Sequence, residues 1–322
     1  MKDDRLGNGT NGRPAWPVQD VLDLHAFSPK DVQSLIEEYI YSCHQAGLYN
    51  VRIVHGKGKG ILRERVRALL RRHPVVTRIA QAPGSAGGWG ASLVEIKRAD
   101  PFEREFAASL DKGAREMGVF LDSTQIGQMT LHAAALRRWR RMTNLTGLSE
   151  PTEMAEKLFL DSIPAAACMG QGARVLDLGS GGGFPGVPLK VIRPDLRVTL
   201  LDAKRKKVSF LKYIIGLLGI KGIEAYQGRA EDFADGGQLE IGYFDTVVSR
   251  AVGSLESVVR LSSRWLEAGT VVLAMKGPGV NDEIASVREP WARAGLLVET
   301  RAYRLPVSGI ARTLVAVTQK GA

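Results

Sequence analysis

The sequence predicts an α/β chain in two parts, a larger one at the carboxyl end entered through a helical prefix and a small one at the amino end. Three observations carry that reading. Short apolar runs alternate with segments of helical spacing in both parts. One run, Val175-Leu176-Asp177-Leu178, stops in Gly179-Ser180-Gly181-Gly182-Gly183-Phe184-Pro185-Gly186, a glycine cluster that neither a strand nor a helix interior tolerates. A later run, Val198-Thr199-Leu200-Leu201, ends in Asp202, about twenty residues further on, the spacing of a nucleotide site at the carboxyl edge of a Rossmann-like parallel sheet.

Met1 to Pro17 is polar, rich in Gly and Asn, and has no apolar core of a signal peptide, so residues 1–19 read as a disordered leader. Val21-Leu22-Asp23-Leu24-His25 alternates as a short strand does. Ser28 and Pro29 stand where an N-cap and a first helical residue belong. Val32, Leu35, Ile36, Tyr39 and Ile40 follow at helical spacing, and Gly47 is placed to end the helix. Val51 to Val54 reads as a second strand. It runs into His55-Gly56-Lys57-Gly58-Lys59-Gly60 and then a helix over 61–72 crowded with Arg63, Arg65, Arg67, Arg71 and Arg72. Glycines alternating with lysines before a helix suit a phosphate, through backbone N–H, helix dipole and ammonium together; the alternative is a solvated basic loop. Ala99-Asp100-Pro101 marks the boundary between a domain over 20–98 and one over 99–322. Phe102 to Met117 reads as one helix. Ser123 is placed to cap a second, with Ile126, Met129, Leu136 and Trp139 near one face and Arg137, Arg138, Arg140 and Arg141 at its end. That pair is either a plain two-helix prefix or one whose basic end faces nucleic acid.

The glycine turn decides the ligand class. A dinucleotide fingerprint needs glycines at its first, third and sixth positions, and counting from Gly179 the sixth is Phe184. A phosphate-cradling loop needs Gly-Lys-Ser/Thr, and the next lysine is Lys190. Asp-x-Gly-x-Gly without the last glycine suits S-adenosyl-L-methionine, which carries no phosphate. Backbone N–H groups of such a turn are expected to approach the ligand, and Asp202 to accept both ribose hydroxyls.

The totals narrow the partners. The chain has 322 residues, 44% of them hydrophobic and 24% charged, with a formal net charge of +10, which favours a polyanionic partner. Its 2 Cys, Cys43 and Cys168, lack Cys-x-x-Cys spacing, so neither a disulfide framework nor a thiolate metal site is expected, and Cys168 reads as core. Its 5 His include no His-Glu-x-x-His, and no metal ligands are expected. No run of about eighteen apolar residues suggests a membrane span, so a cytoplasmic protein is expected.

Two resemblances sharpen this reading. Asp23-Leu24-His25, His55-Gly56-Lys57-Gly58 before a helix, Arg72-His73-Pro74-Val75-Val76, the glycine-rich hairpin Gly84 to Gly90 and the strand Ala91 to Lys97 together resemble a Smr domain, the small MutS-related module. The resemblance implies an α/β sandwich that binds nucleic acid and in some members cuts it, with His25, His55, Lys57 and Lys59 on the nucleic-acid side. The family's Asp-Leu-His-Gly has Ala26 in its fourth position here, so binding is expected ahead of cleavage. Farther on, Trp139, Asn144-Leu145-Thr146, Leu160-Asp161-Ser162, the turn from Asp177 to Leu189 and Leu200-Leu201-Asp202 with Lys204 to Lys207 appear in order. Gly228-Arg229-Ala230-Glu231-Asp232, Phe244-Asp245 through Ser249-Arg250-Ala251, and Lys276-Gly277 follow. This series resembles the bacterial small-subunit rRNA methyltransferase G family, formerly glucose-inhibited division protein B. Trp139-Arg140 stands where that family commonly has Trp-Asn, and Lys157-Leu158-Phe159 where it commonly has Arg-His-x.

The second resemblance implies N7 methylation of one guanine in 16S rRNA, on the 30S subunit or its RNA, with S-adenosyl-L-methionine as donor. Guanine N7 has a free lone pair on the major-groove edge and needs no deprotonation, so in-line placement rather than a general base is required. On this reading Asp177 and the turn through Gly179, Gly181 and Gly183 hold the methionine end and Phe184 packs near it. Asp202 takes the ribose, and Ala230 with Glu231 the adenine. Arg250, after the strand Asp245 to Ser249, reaches the methionine carboxylate or the guanine O6 as the one catalytic candidate. Arg140 and Lys276 face RNA. Alternatives at this point are a methyltransferase of another substrate, a nucleic-acid-binding protein or endonuclease with the larger domain as scaffold, and a dehydrogenase, which Phe184 disfavours.

Overall fold

A computed structural model of the chain describes residues 19–320 other than 26, 59, 99, 141, 142, 144 and 232–243. Residues 1–18 of the expected leader, Ala26, Lys59, Ala99, Arg141, Asn144 and Asp232 therefore lie outside the described residues. The chain divides into two compact units, Met1–Ala99 and Asp100–Ala322. Among the described residues no helix is long and apolar enough to cross a membrane.

In the first unit β1 (Val21–Asp23), α1 (Val32–Ala46), β2 (Asn50–Val54), α2 (Ile61–Arg72), β3 (Val76–Gln81) and β4 (Ala91–Ile96) build a sheet of order β1-β2-β4-β3. Only β1 and β2 run parallel. The helical stripe of α1 is what holds it down, for Val32, Ile36, Ile40 and Cys43 are all fully buried and pack with Val66 and Leu70 of α2 and Val51, Ile53 and Val94 of the sheet. Gly47 ends α1 in the left-handed conformation, as its position predicts. The start of α1 differs from the expectation. Ser28 and Asp31 close a turn, Ser28 O accepting from Asp31 N at 2.9 Å, and the helix begins at Val32 with Asp31 as its cap.

The second unit opens with α3 (Pro101–Glu116) and α4 (Ser123–Trp139). Ser123 is the first helical residue rather than the cap. Asp122 caps instead, accepting from Gln125 N at 2.8 Å while Gln125 Oε1 accepts from Asp122 N, a reciprocal pair that satisfies two end donors and so fixes the start one residue earlier. A short α5 (Pro151–Met154) runs into a π-helical turn, Ala155–Phe159, and a 3-10 stretch, Leu160–Cys168. Cys168 is exposed, against the expectation of a core residue, because the stretch surfaces at its end and Met169 turns inward in its place.

Then come β5 (Arg174–Leu178), α6 (Gly186–Ile192), β6 (Arg197–Asp202), α7 (Arg205–Leu218), β7 (Ile223–Gln227) and β8 (Thr246–Arg250). They are followed by α8 (Leu255–Leu261), α9 (Ser263–Glu267), β9 (Val271–Lys276), α10 (Val280–Arg293), β10 (Leu296–Arg304) and β11 (Ala311–Gln319). The sheet order is β10-β11-β9-β8-β5-β6-β7, parallel from β9 to β7 and closed at one edge by the antiparallel β10–β11 pair. Strands β5, β6 and β8 are buried on both faces, which is why their sequences run apolar without alternation. Successive strands grow outward from β5 through β6 to β7, and the chain then returns to lay β8 on the other side of β5. That reversal opens a crevice at the carboxyl ends of β5 and β8, the usual ligand position in an open parallel sheet.

Candidate functional site

The glycine turn after β5 forms one wall of the crevice. Gly179, Gly181 and Gly183 have φ of 76°, 58° and 94°, a region that a side chain disfavours. A Cβ on Gly179 would sit 2.5 Å from the Val252 side chain, and one on Gly183 2.8 Å from Val187, so space as well as backbone conformation excludes anything larger. The expected use of its N–H groups is not what the turn offers. Gly179 and Ser180 donate to Leu201 O, Gly181 to Asp202 Oδ2 at 3.0 Å, and Gly183 and Phe184 to Ser180 O. With those donors satisfied internally, the turn presents mostly glycine backbone, which lets a ligand approach closely.

Asp202 ends β6 and is 6% exposed. Its Oδ2 takes the Gly181 N–H, its Oδ1 takes Lys204 N at 2.8 Å, and Lys207 Nζ stands 3.6 Å away. Each carboxylate oxygen keeps a further lone pair for a hydroxyl. Asp177 lies deeper than expected. It is 0% exposed, and its Oδ2 accepts from Gly186 N at 2.9 Å, so it anchors the start of α6 from beneath rather than meeting a ligand at the surface. Its Oδ1 has no hydrogen-bond partner among the described residues. Burial pushes this carboxyl up to about 7, with the Gly186 hydrogen bond opposing.

The opposite wall is the carboxyl end of β8. Arg250 does not project into open solvent: its Nη1 donates to the carbonyls of Lys157 and Leu158 at 3.0 and 3.2 Å, and its guanidinium lies 5.1 Å from the Phe184 ring centroid. Asp161, itself buried, is 3.6 Å from Arg250 and 3.3 Å from Arg312, and accepts from Tyr303 Oη at 2.9 Å. Burial lowers the Arg250 pKa while Asp161 and Asp177 hold it up. The π-helical turn thus supplies the carbonyls that fix Arg250, a use for irregular helix common at sites. Ala251 follows at φ 58°, a conformation rare outside glycine, and turns the chain across the crevice mouth. A cavity of about 410 Å³ opens here between Ser249, Arg250, Val252, Lys276 and Arg312. Ser249 Oγ, 1% exposed, has no hydrogen-bond partner among the described residues. Lys276 lines this cavity instead of an outer surface, held by Gly253 O at 3.0 Å and Glu283 Oε2 at 2.8 Å. Ala230 is buried and Glu231 exposed, just beyond the end of β7. Arg140 is exposed at the end of α4.

His132 was not among the expected site residues. From α4 it is 0% exposed, its Nε2 donates to Gly182 O at 2.8 Å, and its ring stacks on Phe184 at 5.0 Å and 8°. Phe159 meets both rings edge-on. Burial lowers the His132 pKa to about 4, so the ring is neutral and the Nε2 proton belongs to the turn. Phe184 is therefore clamped rather than loose, and its peptide bond to Pro185 is cis. A histidine at position 132 within the apolar stripe of α4 is the signal that marks it as internal.

In the first unit Asp23 Oδ1 and His25 Nδ1 pair at 2.6 Å on the exposed surface, and a Cβ on Gly56 would meet His25 Nε2 at 2.7 Å. His55 points inward, against the expectation of a nucleic-acid contact. It is 5% exposed, with Nε2 against Ser92 Oγ at 3.1 Å, because His55 N and Gly56 N both donate to Gly90 O and roll the ring under the loop. Burial lowers its pKa. Lys57 is exposed.

The model for rRNA small subunit methyltransferase G matches residues 125–302, and that for the Smr domain matches residues 22–97. The ribosomal RNA small subunit methyltransferase G of Geobacter metallireducens is 36% identical over 219 residues, 68% of this chain and 98% of that protein. The protein of the same name from Geobacter sp. strain M21 is 37% identical over 209 residues, 65% of this chain and 95% of that one. The solved Smr domain of Thermus thermophilus MutS2 is 31% identical, covering 24% of this chain and 96% of that one, with a TM-score of 0.23.

Proposed function

Because the chain belongs to the rRNA small subunit methyltransferase G family and carries a Smr domain ahead of it, we propose N7 methylation of a guanine in 16S rRNA within the 30S subunit. S-adenosylmethionine is the donor and supplies an electrophilic methyl carbon. The observation that carries this reading is the crevice between β5 and β8, with a glycine-rich turn on one wall, a braced carboxylate at Asp202, and on the other wall a Ser249 hydroxyl that has no partner among the described residues.

The chain's own residues have a positioning task. Gly179, Gly181 and Gly183 leave room beside the sheet, and Asp202 offers its remaining lone pairs to the ribose hydroxyls. Ala230 and Glu231 border the adenine. Phe184, fixed by His132 and Phe159, keeps one side of the crevice apolar and dry. Asp177 holds Gly186 and with it the turn. Arg250, held by two carbonyls and Asp161, sets the far wall and brings positive charge to the cavity with Lys276 and Arg312. A guanine N7 lone pair needs no base, and none of these residues is placed to act as one, so alignment and water exclusion carry the rate. Arg140 and the amino-terminal domain add positive charge for RNA.

Calorimetry tests the cofactor side: one S-adenosylmethionine site is expected, and Asp202→Ala loses roughly 1–3 kcal/mol of its binding. Labelled methyl groups are expected in 16S rRNA of 30S particles from cells lacking this protein, at a guanine mapped by N7-specific strand scission. Label found only in protein or small molecules would overturn the assignment.

A further inference from the structure

The most exposed large aromatic side chain among the described residues of the first unit is not part of its core. Trp89 is 66% exposed, at the centre of the second of two 3-10 segments, Gly84–Ala86 and Gly88–Gly90. A single exposed apolar side chain needs no explanation. This one has three neighbours that do. The Arg63 guanidinium lies 4.6 Å from its ring centroid, fixing the plane of the indole and leaving much of the ring open. The next residue, Gly90, binds the His55 and Gly56 N–H groups through its carbonyl at 2.9 and 3.0 Å and abuts the Lys57 side chain, so the indole is tied to the glycine–lysine loop. The Asp23–His25 pair stands beside the same loop at Gly56. Charge is concentrated on the same stretch. Residues 51–98 hold 11 Lys and Arg against 2 Glu, so they carry +9 of the chain's +10.

A flat, held, open indole within a dense basic field is the chemistry that receives an unstacked base while cations follow its backbone. We infer that Trp89 with Arg63 is a stacking platform on which the Smr domain takes a base from a single-stranded segment of RNA, the flanking phosphates lying along Lys57 and α2. This rests on the RNA role given to that domain above. A base stacked there is read by its face, so the platform tolerates any base but discriminates against a closed duplex.

The test uses the full chain and fluorescence anisotropy with a labelled single-stranded RNA, the same RNA annealed to its complement, and single-stranded DNA of the same sequence. Trp89→Ala and Trp89→Leu are expected to weaken single-stranded RNA about 5- to 150-fold while leaving the salt slope of binding unchanged, since no phosphate contact is lost. Trp89→Phe retains most of the affinity, and duplex binding and S-adenosylmethionine affinity do not change in any of the three. Undiminished single-stranded affinity in Trp89→Ala, an equal loss on duplex, or a loss confined to DNA overturns the platform. Lys57→Gln combined with Arg65→Gln separates this from the larger reading: if it lowers RNA affinity and salt slope while Trp89→Ala does nothing, only the platform falls. If neither variant has an effect, the RNA role of the domain falls with it.

Discussion

The Asp177 carboxyl sits at about 7 because burial removes it from water and leaves its Oδ1 without a partner among the described residues, a cost that the Gly186 N–H on Oδ2 only partly offsets. In the unfolded chain such a group titrates near 3.8. Between about 4 and about 7 the folded state therefore binds more protons than the unfolded one, and this group's contribution to stability falls as pH rises through that window. Asp177→Asn keeps an oxygen for Gly186 N–H and removes the charge, so its urea midpoint should fall less between pH 5 and pH 8 than that of the parent chain. Parallel curves would show that Asp177 is not the group titrating. The residue was legible as part of the turn, and its depth was not. A carboxylate flanked by Val175, Leu176 and Leu178 is a sign of burial, but which backbone N–H it serves depends on where α6 begins. Arg250 was likewise legible as the residue at the end of β8, and Lys276 was named only through the family resemblance. Their partners, the carbonyls of Lys157 and Leu158 and the Glu283 carboxylate, sit on elements whose positions the sequence does not state.

Helix α4 shows how an element transmits what a residue does. Its stripe of Ile126, Met129, Leu136 and Trp139 was visible as periodicity, and the structure buries the first three and half-buries Trp139, the helix packing on α3, α6 and α7. His132 lies on the same stripe, and its ring ties the helix to the glycine turn through Gly182 O. Replacing it by Phe keeps an aromatic ring against Phe184 and Phe159 but strips the carbonyl of its donor, at a cost of roughly 1–3 kcal/mol. If His132 positions the turn, His132→Phe weakens S-adenosylmethionine affinity and leaves RNA affinity alone, and His132→Gln, which restores an N–H, recovers part of the loss. A fall in melting temperature with unchanged cofactor affinity would mark the residue as structural only. Its pKa of about 4 keeps the ring neutral from pH 5 upward, so cofactor binding should show no titration from this group there. The strands were readable for a simpler reason: β5, β6 and β8 are short runs rich in Val and Leu without strict alternation, as a sheet covered on both faces holds. The starts of α1 and α4 were misplaced because Ser28 and Ser123 are acceptable caps, and the choice made by Asp31 and Asp122 depends on local hydrogen bonds within a single turn.

At the scale of the whole molecule, chemistry and charge are divided between the two units. The crevice, the turn and the cavity lie wholly within Asp100–Ala322, the unit that holds the match to the methyltransferase family over residues 125–302. The positive charge is concentrated elsewhere: residues 51–98 hold +9 of the +10. If each unit does what its side chains equip it to do, the two functions come apart on truncation. Removing residues 1–98 leaves Asp202, the glycine turn and the Asp161–Arg250 wall intact, so S-adenosylmethionine affinity stays as in the full chain. The same deletion removes the densest source of phosphate contacts. Because the salt dependence of binding scales with the number of phosphates neutralised, both the affinity for 16S rRNA and the steepness of its decline with salt should drop. Methyl transfer then falls through KM for the RNA, with kcat at saturating RNA preserved. An unchanged salt slope after truncation would place the RNA-binding charge on the methyltransferase unit instead, around Arg138 and Arg140, and a fall in kcat without a rise in KM would mean that the amino-terminal unit takes part in aligning the base.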